Sequence, residues 1–552
     1  MKDTSYQRII IGKLDWRLYL NRFFQLFFFL WLAFLFCLTL QMYSRPIAVL
    51  GGAIVGILTA LAVFCQLYKK EKTGSDRFML LALVLSCAVF LFGCLIVGKR
   101  MLVPPFNDTG SVYYAVAEIF EEGKISQEIN KYTTCAWATH TSNHDYFLIY
   151  KNCCFLVWYL LQFFRVLDVI LPGGWTYEAF YTEAGLYACL ALNLISMCAS
   201  MIFGFFALKK KAGNPAALAF LLLFCAFLPY YLNIYKAYSD SLSMPYLMLS
   251  VLLFFSADQN STTKRAMLLF LSGISLSIGA LIKGSVYILL VAEVILVFFQ
   301  KRSVMQRLTV AGALLAACFV VYLSWSICLD HATWIDRRNA EALEFPAIHW
   351  IMMASIGDGG YRQEDFDFTA SFEGVEAKKT ADKEEFVRRV QSYGSPFRYF
   401  WFQAKKLAAV LSDGNYAQNA HLYFALPKNG RLRELVYGSY SNFYTLYISI
   451  FSCVFYLSFL ASAGMEFLTQ KRGLEMFLNV SFFGILLFFS FWEIKSRYLF
   501  NFTPLFMMCT VTTWSQLPGK LCHRGGLGPR RRGDPAEVLR LHGQRHQGKT
   551  HE

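Results

Sequence analysis

The longest polar stretch of this chain, residues 330–440, contains no cysteine, which excludes a disulfide frame there. The fifteen cysteines found elsewhere are scattered through apolar runs without metal-ligand spacing, and Cys153-Cys154 are adjacent and poorly placed to pair with each other. They read as small apolar core residues. Strand-like alternation is too scarce for an independent β domain. The apolar runs show no internal repeat, which argues against a transporter built from duplicated halves. The first apolar run is too long for a cleavable signal peptide and lacks a small-residue cleavage site.

What is present is apolar. Over 552 residues the chain is 56% hydrophobic and 17% aromatic, with 53 Phe. A water-soluble globule has no use for that much apolar surface. The residues cluster in runs of about 20, enough to cross a bilayer core of ~30 Å. The formal charge of +15 invites a nucleic-acid reading, but the basic residues fall mostly in short loops between apolar runs. That is the positive-inside pattern, so the charge reports topology and no nucleic-acid partner is expected.

In chain order, Lys2, Arg8, Lys13 and Arg17 argue for a cytoplasmic start. Residues 1–76 then hold two apolar runs, and a third follows at 77–98. Three crossings put residues 99–146 outside as the first sizeable external loop, with an amphipathic helix behind Asp108 expected to lie along the membrane surface. Charge parity makes 147–171 the segment that does not cross fully, as a re-entrant or juxtamembrane helix. Residues 77–329 form the membrane core, 330–440 a small helical domain on the outer side, and 441–516 the last membrane helices. The expectation is an all-α polytopic bundle of about 12–13 transmembrane helices. Residues 517–552 differ in kind: from Pro518 onward there is no Phe, Tyr, Trp or Ile, but four of the nine His. They read as a basic, disordered tail or a frame-shifted end, and no function is assigned to them.

Charges close to hydrocarbon are costly unless partnered or functional. Trp492-Glu493-Ile494-Lys495-Ser496-Arg497-Tyr498 places three of them between two apolar runs. On the same external face the parity count puts Asp108, the Tyr238-Ser239-Asp240-Ser241 turn and Lys283. A carboxylate at the bundle mouth suits a general base, so Asp108 is the candidate catalytic residue. Arg497 and Lys283, with Glu493 and Tyr498, suit a phosphate held at the membrane surface. Asp240, His349 and Trp350 are candidate substrate contacts. His140, His144 and Asp145 form only a loose cluster, and neither metal nor cofactor is expected.

This pattern resembles the GT-C superfamily of polyprenyl-phosphate-sugar glycosyltransferases, close to the bacterial protein-mannosyltransferase-like (family 39) branch. The resemblance covers roughly residues 77–516. It is carried by Asp108 with its helix, by Tyr238-Ser239-Asp240, by Ala280-Leu281-Ile282-Lys283-Gly284, and by Glu493, Arg497, Tyr498 and Pro504. It implies a catalytic base at Asp108, lipid-phosphate contact at Arg497 and no metal. It further implies a polyprenyl-phosphate-linked sugar as donor, membrane lipid around it, and an acceptor that is a protein, a cell-wall polymer or a glycolipid. The implied place is the outer face of a bacterial plasma membrane. Where family members often show a second acidic residue or a Tyr-Pro pair after the loop, this chain reads Asp145-Tyr146-Phe147. The alternative reading is a non-catalytic flippase or transporter for a lipid-linked sugar, its charges lining a route instead of a reaction centre.

Overall fold

A computed structural model describes residues 16–70, 76–128, 142–171, 182–258, 260–417, 419–469 and 473–524, together with Trp175, Ala179 and Phe180. His140, Lys2, Arg8, Lys13 and the tail beyond Arg524 lie outside the described residues. In hydrocarbon every backbone N–H and C=O needs an internal partner, so the apolar runs fold as helices. No strand occurs among the described residues.

The membrane part begins with α1 (Trp16–Met42), α2 (Pro46–Lys70) and α3 (Asp76–Gly98). The stretch up to the next long helix supplies α4 (Asn107–Glu122), α5 (Asn143–Ile149) and α6 (Cys154–Ile170). Then come α7 (Glu183–Ala212), α8 (Asn214–Ala226), α9 (Leu228–Leu232), α10 (Ser239–Leu242) and α11 (Met244–Ser256). They lead to α12 (Thr262–Ile282), α13 (Tyr287–Phe299) and α14 (Val304–Asp330). Seven short or amphipathic helices follow, α15 (Ala340–Leu343), α16 (Ala347–Met353), α17 (Gln363–Ala370), α18 (Val375–Ser392), α19 (Pro396–Ser412), α20 (Asn419–Ala425) and α21 (Arg431–Val436). The chain closes the bundle with α22 (Ser441–Thr469), α23 (Leu474–Phe491) and α24 (Thr503–Arg524).

One end of the bundle is basic and polar. There Lys209 pairs with Asp76 at 2.8 Å, Lys211 pairs with Asp258, and Arg302 donates to the Asp258 carbonyl at 2.9 Å. Arg17 and Arg307 donate to the carbonyls of Gln300 and Phe298, each at 3.0 Å. The other end carries α4–α6, the 233–238 turn and the 330–440 helices. Among the described residues ten helices are long and apolar enough to cross a membrane. Nine of them, the shorter Asn214–Ala226 and Gly284–Phe299, and α24 run between the two ends, giving twelve passes among the described residues.

The tenth, Lys151–Ile170, is long enough to cross but contacts only one end. Phe155 meets Trp325 near the end of α14, Tyr159 meets Tyr246 at the start of α11, and Phe164 meets Phe180 at 4.7 Å. This helix lies across the polar-loop end. The helix behind Asp108 is covered on all sides by protein, with Thr109 through Ile119 all buried. Glu118 explains how a polar face is kept inside. Its carboxylate accepts from the Ser126 N–H at 2.8 Å and from the Asn143 amide at 3.2 Å, tying both ends of the loop to α4.

The core is a phenylalanine core, with Phe28, Phe90, Phe220, Phe224 and Phe506 fully buried. The two N-terminal helices belong to it. Phe28 packs on Phe482 and Phe483 of α23, and Asn479 donates to Gln25 at 2.9 Å. Helices α12 and α14 meet at Gly273, where a Cβ would come within 2.5 Å of the Leu314 carbonyl. Small residues let backbones approach in the absence of a hydrophobic driving force between helices.

Candidate functional site

At the polar-loop end, widely separated parts of the chain close on a cavity of about 790 Å³, the 238–239 turn and Ala417 among them. Asn107 and Asp108 come from the start of α4, Tyr146, Tyr150 and Cys153 from the α5–α6 junction, and Lys283 from the end of α12. The 492–498 segment brings Trp492, Glu493, Lys495, Arg497 and Tyr498. Phe488, Phe489, Ile282 and Leu156 give it an apolar wall, while Tyr150, Trp350 and Tyr361 line it from the loop side.

Asp108 is presented by an unusual backbone. Asn107 has φ 55°, in the left-handed region that Asn tolerates better than most side chains. Asp108 then opens the helix with its side chain about one quarter exposed to the cavity. One carboxylate oxygen faces the Arg497 Nη2 at 3.1 Å, and the other accepts from the Tyr146 hydroxyl at 3.4 Å. The two ion-pair partners are 389 residues apart in sequence.

Arg497 is held by aromatic faces. Its guanidinium carbon stands 5.5 Å from the ring centroids of both Tyr238 and Tyr498. Cation–π contact of this kind positions the group without neutralising it. Lys283 pairs with Asp240 and lies 5.2 Å from the Tyr498 ring. Glu493 accepts from the Tyr498 hydroxyl at 2.7 Å and faces the Lys495 ammonium at 4.0 Å. Lys495 in turn stands 5.5 Å above Tyr361.

Asp108, Lys283, Glu493, Arg497, Tyr498 and Trp350 all line this cavity. Asp240 is buried behind it as the partner of Lys283. His349 does not reach it. That side chain is fully buried in the 330–440 domain, where it packs on Phe345 and Trp350 and bonds Thr369 Oγ1 at 2.7 Å. A substrate-contact role for His349 is therefore corrected to a packing role. His144 is occupied by the Asp336 carbonyl at 2.7 Å and by Asp145 at 3.3 Å. Among the described residues no group of three or more His, Cys, Asp or Glu gathers for a metal.

Sequence reasoning missed Tyr146, Tyr150, Tyr361 and Asp413. Asp413 accepts from the N–H groups of Asn415 at 3.0 Å and Ala417 at 2.8 Å, and bonds Ser496, the neighbour of Arg497. Asp-Gly-Asn is a turn-forming sequence, but nothing local connects it to residue 496.

A search of curated proteins returned no match. Among solved structures, the chain is similar to the archaeal oligosaccharyltransferase AglB from Archaeoglobus fulgidus, in complex with an inhibitory peptide and a dolichol-phosphate. The identity is 12% and the TM-score 0.42, over 83% of this chain and 54% of that one. The same enzyme tethered to an acceptor peptide gives 13% and 0.40, over 80% and 51%. ArnT from Cupriavidus metallidurans bound to undecaprenyl phosphate gives 12% and 0.30, over 80% and 78%. The chain thus spans about half the length of the oligosaccharyltransferase structures it matches. A family model matches residues 138–517, more than half of the chain. On that match, the chain belongs to the family described as conserved hypothetical integral membrane protein.

Proposed function

We propose that this protein is a membrane glycosyltransferase that moves a sugar from a polyprenyl-phosphate donor to an acceptor at the outer face of the plasma membrane, in the manner of the family 39 branch it resembles. The observation that carries the reading is the Asp108–Arg497 pair at 3.1 Å on the edge of a 790 Å³ cavity with one apolar and one aromatic wall.

The chemistry follows from what each group can do. The isoprenoid lies along Phe488, Phe489, Ile282 and Leu156, and the sugar stacks on Trp350, Tyr150 or Tyr361. The donor phosphate takes Arg497, whose planar fork bonds two oxygens at once, with Lys283 and Lys495 adding charge. Drawing Arg497 to the phosphate frees Asp108. Its carboxylate then accepts the proton of the acceptor hydroxyl as that oxygen bonds to the sugar anomeric carbon. The anomeric carbon–oxygen bond to phosphate breaks, and the electron pair leaves on the phosphate, stabilised by Arg497 and Lys283.

The test uses purified protein in detergent with a radiolabelled polyprenyl-phosphate hexose and a cell-envelope extract as acceptor source. Release of polyprenyl phosphate supports transfer. Binding of the lipid with no release, extract included, moves the flippase reading ahead.

A further inference from the structure

Behind the helix that carries Asp108 lies a second, much smaller cavity of about 20 Å³. It shares no lining residue with the large one. Its polar lining is Thr109, Tyr113, Tyr235 and Lys236, the Tyr113 hydroxyl donating to the Phe180 carbonyl at 2.6 Å, and its apolar lining includes Phe106, Leu186 and Cys189. The Lys236 ammonium, the Thr109 hydroxyl and the Tyr235 hydroxyl are all buried, and none has a hydrogen-bond partner among the described residues, Lys236 having only the Tyr238 ring at 5.5 Å. Lys236 is 6% exposed and Thr109 5%. The turn is rigidly built: the Asn193 amide donates to the carbonyls of Asn233, Ile234 and Lys236 at 3.2, 2.9 and 2.8 Å. No side chain caps the N-terminus of α4 beside it.

A dehydrated ammonium without an acceptor costs several kcal/mol, so such groups are paired in stable proteins. Each nearby carboxylate has a cation of its own, Asp108 with Arg497 and Asp240 with Lys283, and the second Asp240 oxygen has no hydrogen-bond partner among the described residues. Lys236 is therefore the cation left over in this group of five charges. A volume of this size admits one water-sized occupant and excludes a phosphate or a sugar.

We propose that Lys236, Thr109 and Tyr235 form a buried binding site for one small monovalent anion of chloride size. The anion accepts from the ammonium and the two hydroxyls, and it lies at the positive end of the α4 dipole. Occupancy fixes the first turn of α4, and with it the position of Asp108, from the side opposite the large cavity. The site stands on its own geometry and does not depend on the transferase reading.

The experiment follows thermal unfolding of the full chain in detergent as sodium gluconate is replaced by sodium chloride at constant ionic strength. The expected result is a saturable rise in Tm of about 2–4 °C in wild type. Lys236→Met abolishes the rise and Thr109→Val reduces it, the second serving if the first fails to fold. In crystals grown in bromide, one anomalous peak falls between Lys236 and Thr109. Coincident chloride and gluconate curves, an equal rise with sulfate, or an unchanged chloride response in both variants would each overturn the proposal and leave a bound water in the cavity.

Discussion

His349 and Trp350 are neighbours in sequence and face different surroundings. Burial pushes the His349 imidazole down to about 3, with Arg389 and Lys378 adding to the effect, so it is neutral near pH 7. Because folding lowers its pKa below the ordinary 6.5, the unfolded chain binds more protons between those values. Stability from this residue is therefore complete above about 6.5 and lost as pH falls towards 3. His349→Phe is expected to cost about 1 kcal/mol through the lost Thr369 bond, to flatten the acid limb of thermal unfolding, and to leave turnover per folded molecule unchanged. Trp350→Ala, which removes a cavity wall, is expected to raise KM about tenfold in the release assay. Equal effects of both variants on turnover would return His349 to the site. The sequence showed that both residues were chemically capable, but it did not show which side of a seven-residue helix faces the cavity. That Asp108, Lys283 and Arg497 meet at one cavity was foreseeable for a different reason: a charge beside hydrocarbon is costly wherever the chain goes.

At the scale of elements, the 492–498 segment is held by the helices of residues 330–440. Lys406 of α19 donates to the carbonyls of Ser490 and Trp492 at 3.2 and 3.4 Å and to Ala354 at 3.3 Å. The Ile494 N–H donates to the Gly359 carbonyl at 2.9 Å. Three acceptors need three donors, which only the charged ammonium supplies. Burial pushes Lys406 down to about 7, partly offset by Glu493. The cost of burying that charge is present below about 7 and is relieved as pH rises towards 10.5, while in the folded chain the third donor is lost as pH rises through about 7. Turnover is expected to fall as pH rises through about 7. Lys406→Arg, which stays charged, should flatten that limb, and Lys406→Met should lower turnover about tenfold at every pH. A wild-type limb unchanged in Lys406→Arg would separate Lys406 from the site. None of this was legible, because a lysine on an amphipathic helix reads as a solvated face until the partner carbonyls are known. The burial of α4 was hidden similarly: periodicity marked its apolar face, but Glu118 on the polar face found partners only through the folded loop.

For the whole molecule, the apolar runs announced a helical bundle and the basic loops its polarity, because hydropathy and charge act locally. Whether a run crosses is not local. Lys151–Ile170 has the composition of a span, and only its contacts with Trp325, Tyr246 and Phe180 lay it across one end. The basic end is expected to face the cytoplasm. Alkaline phosphatase fused after Asp330 should be active, and fused after Ala212 inactive; the reverse pattern would invert the bundle. The expected orientation would put Asp108 and Arg497 on the face where the proposed reaction needs them. The most direct measurement compares polyprenyl-phosphate release by wild type, Asp108→Asn and Arg497→Ala, each checked for folding by thermal unfolding. A base at Asp108 predicts a loss of about 10²–10⁴-fold in Asp108→Asn, and phosphate stabilisation by Arg497 predicts about 10²–10³-fold in Arg497→Ala, with both variants still folded. A folded Asp108→Asn that releases the lipid at the wild-type rate contradicts the account.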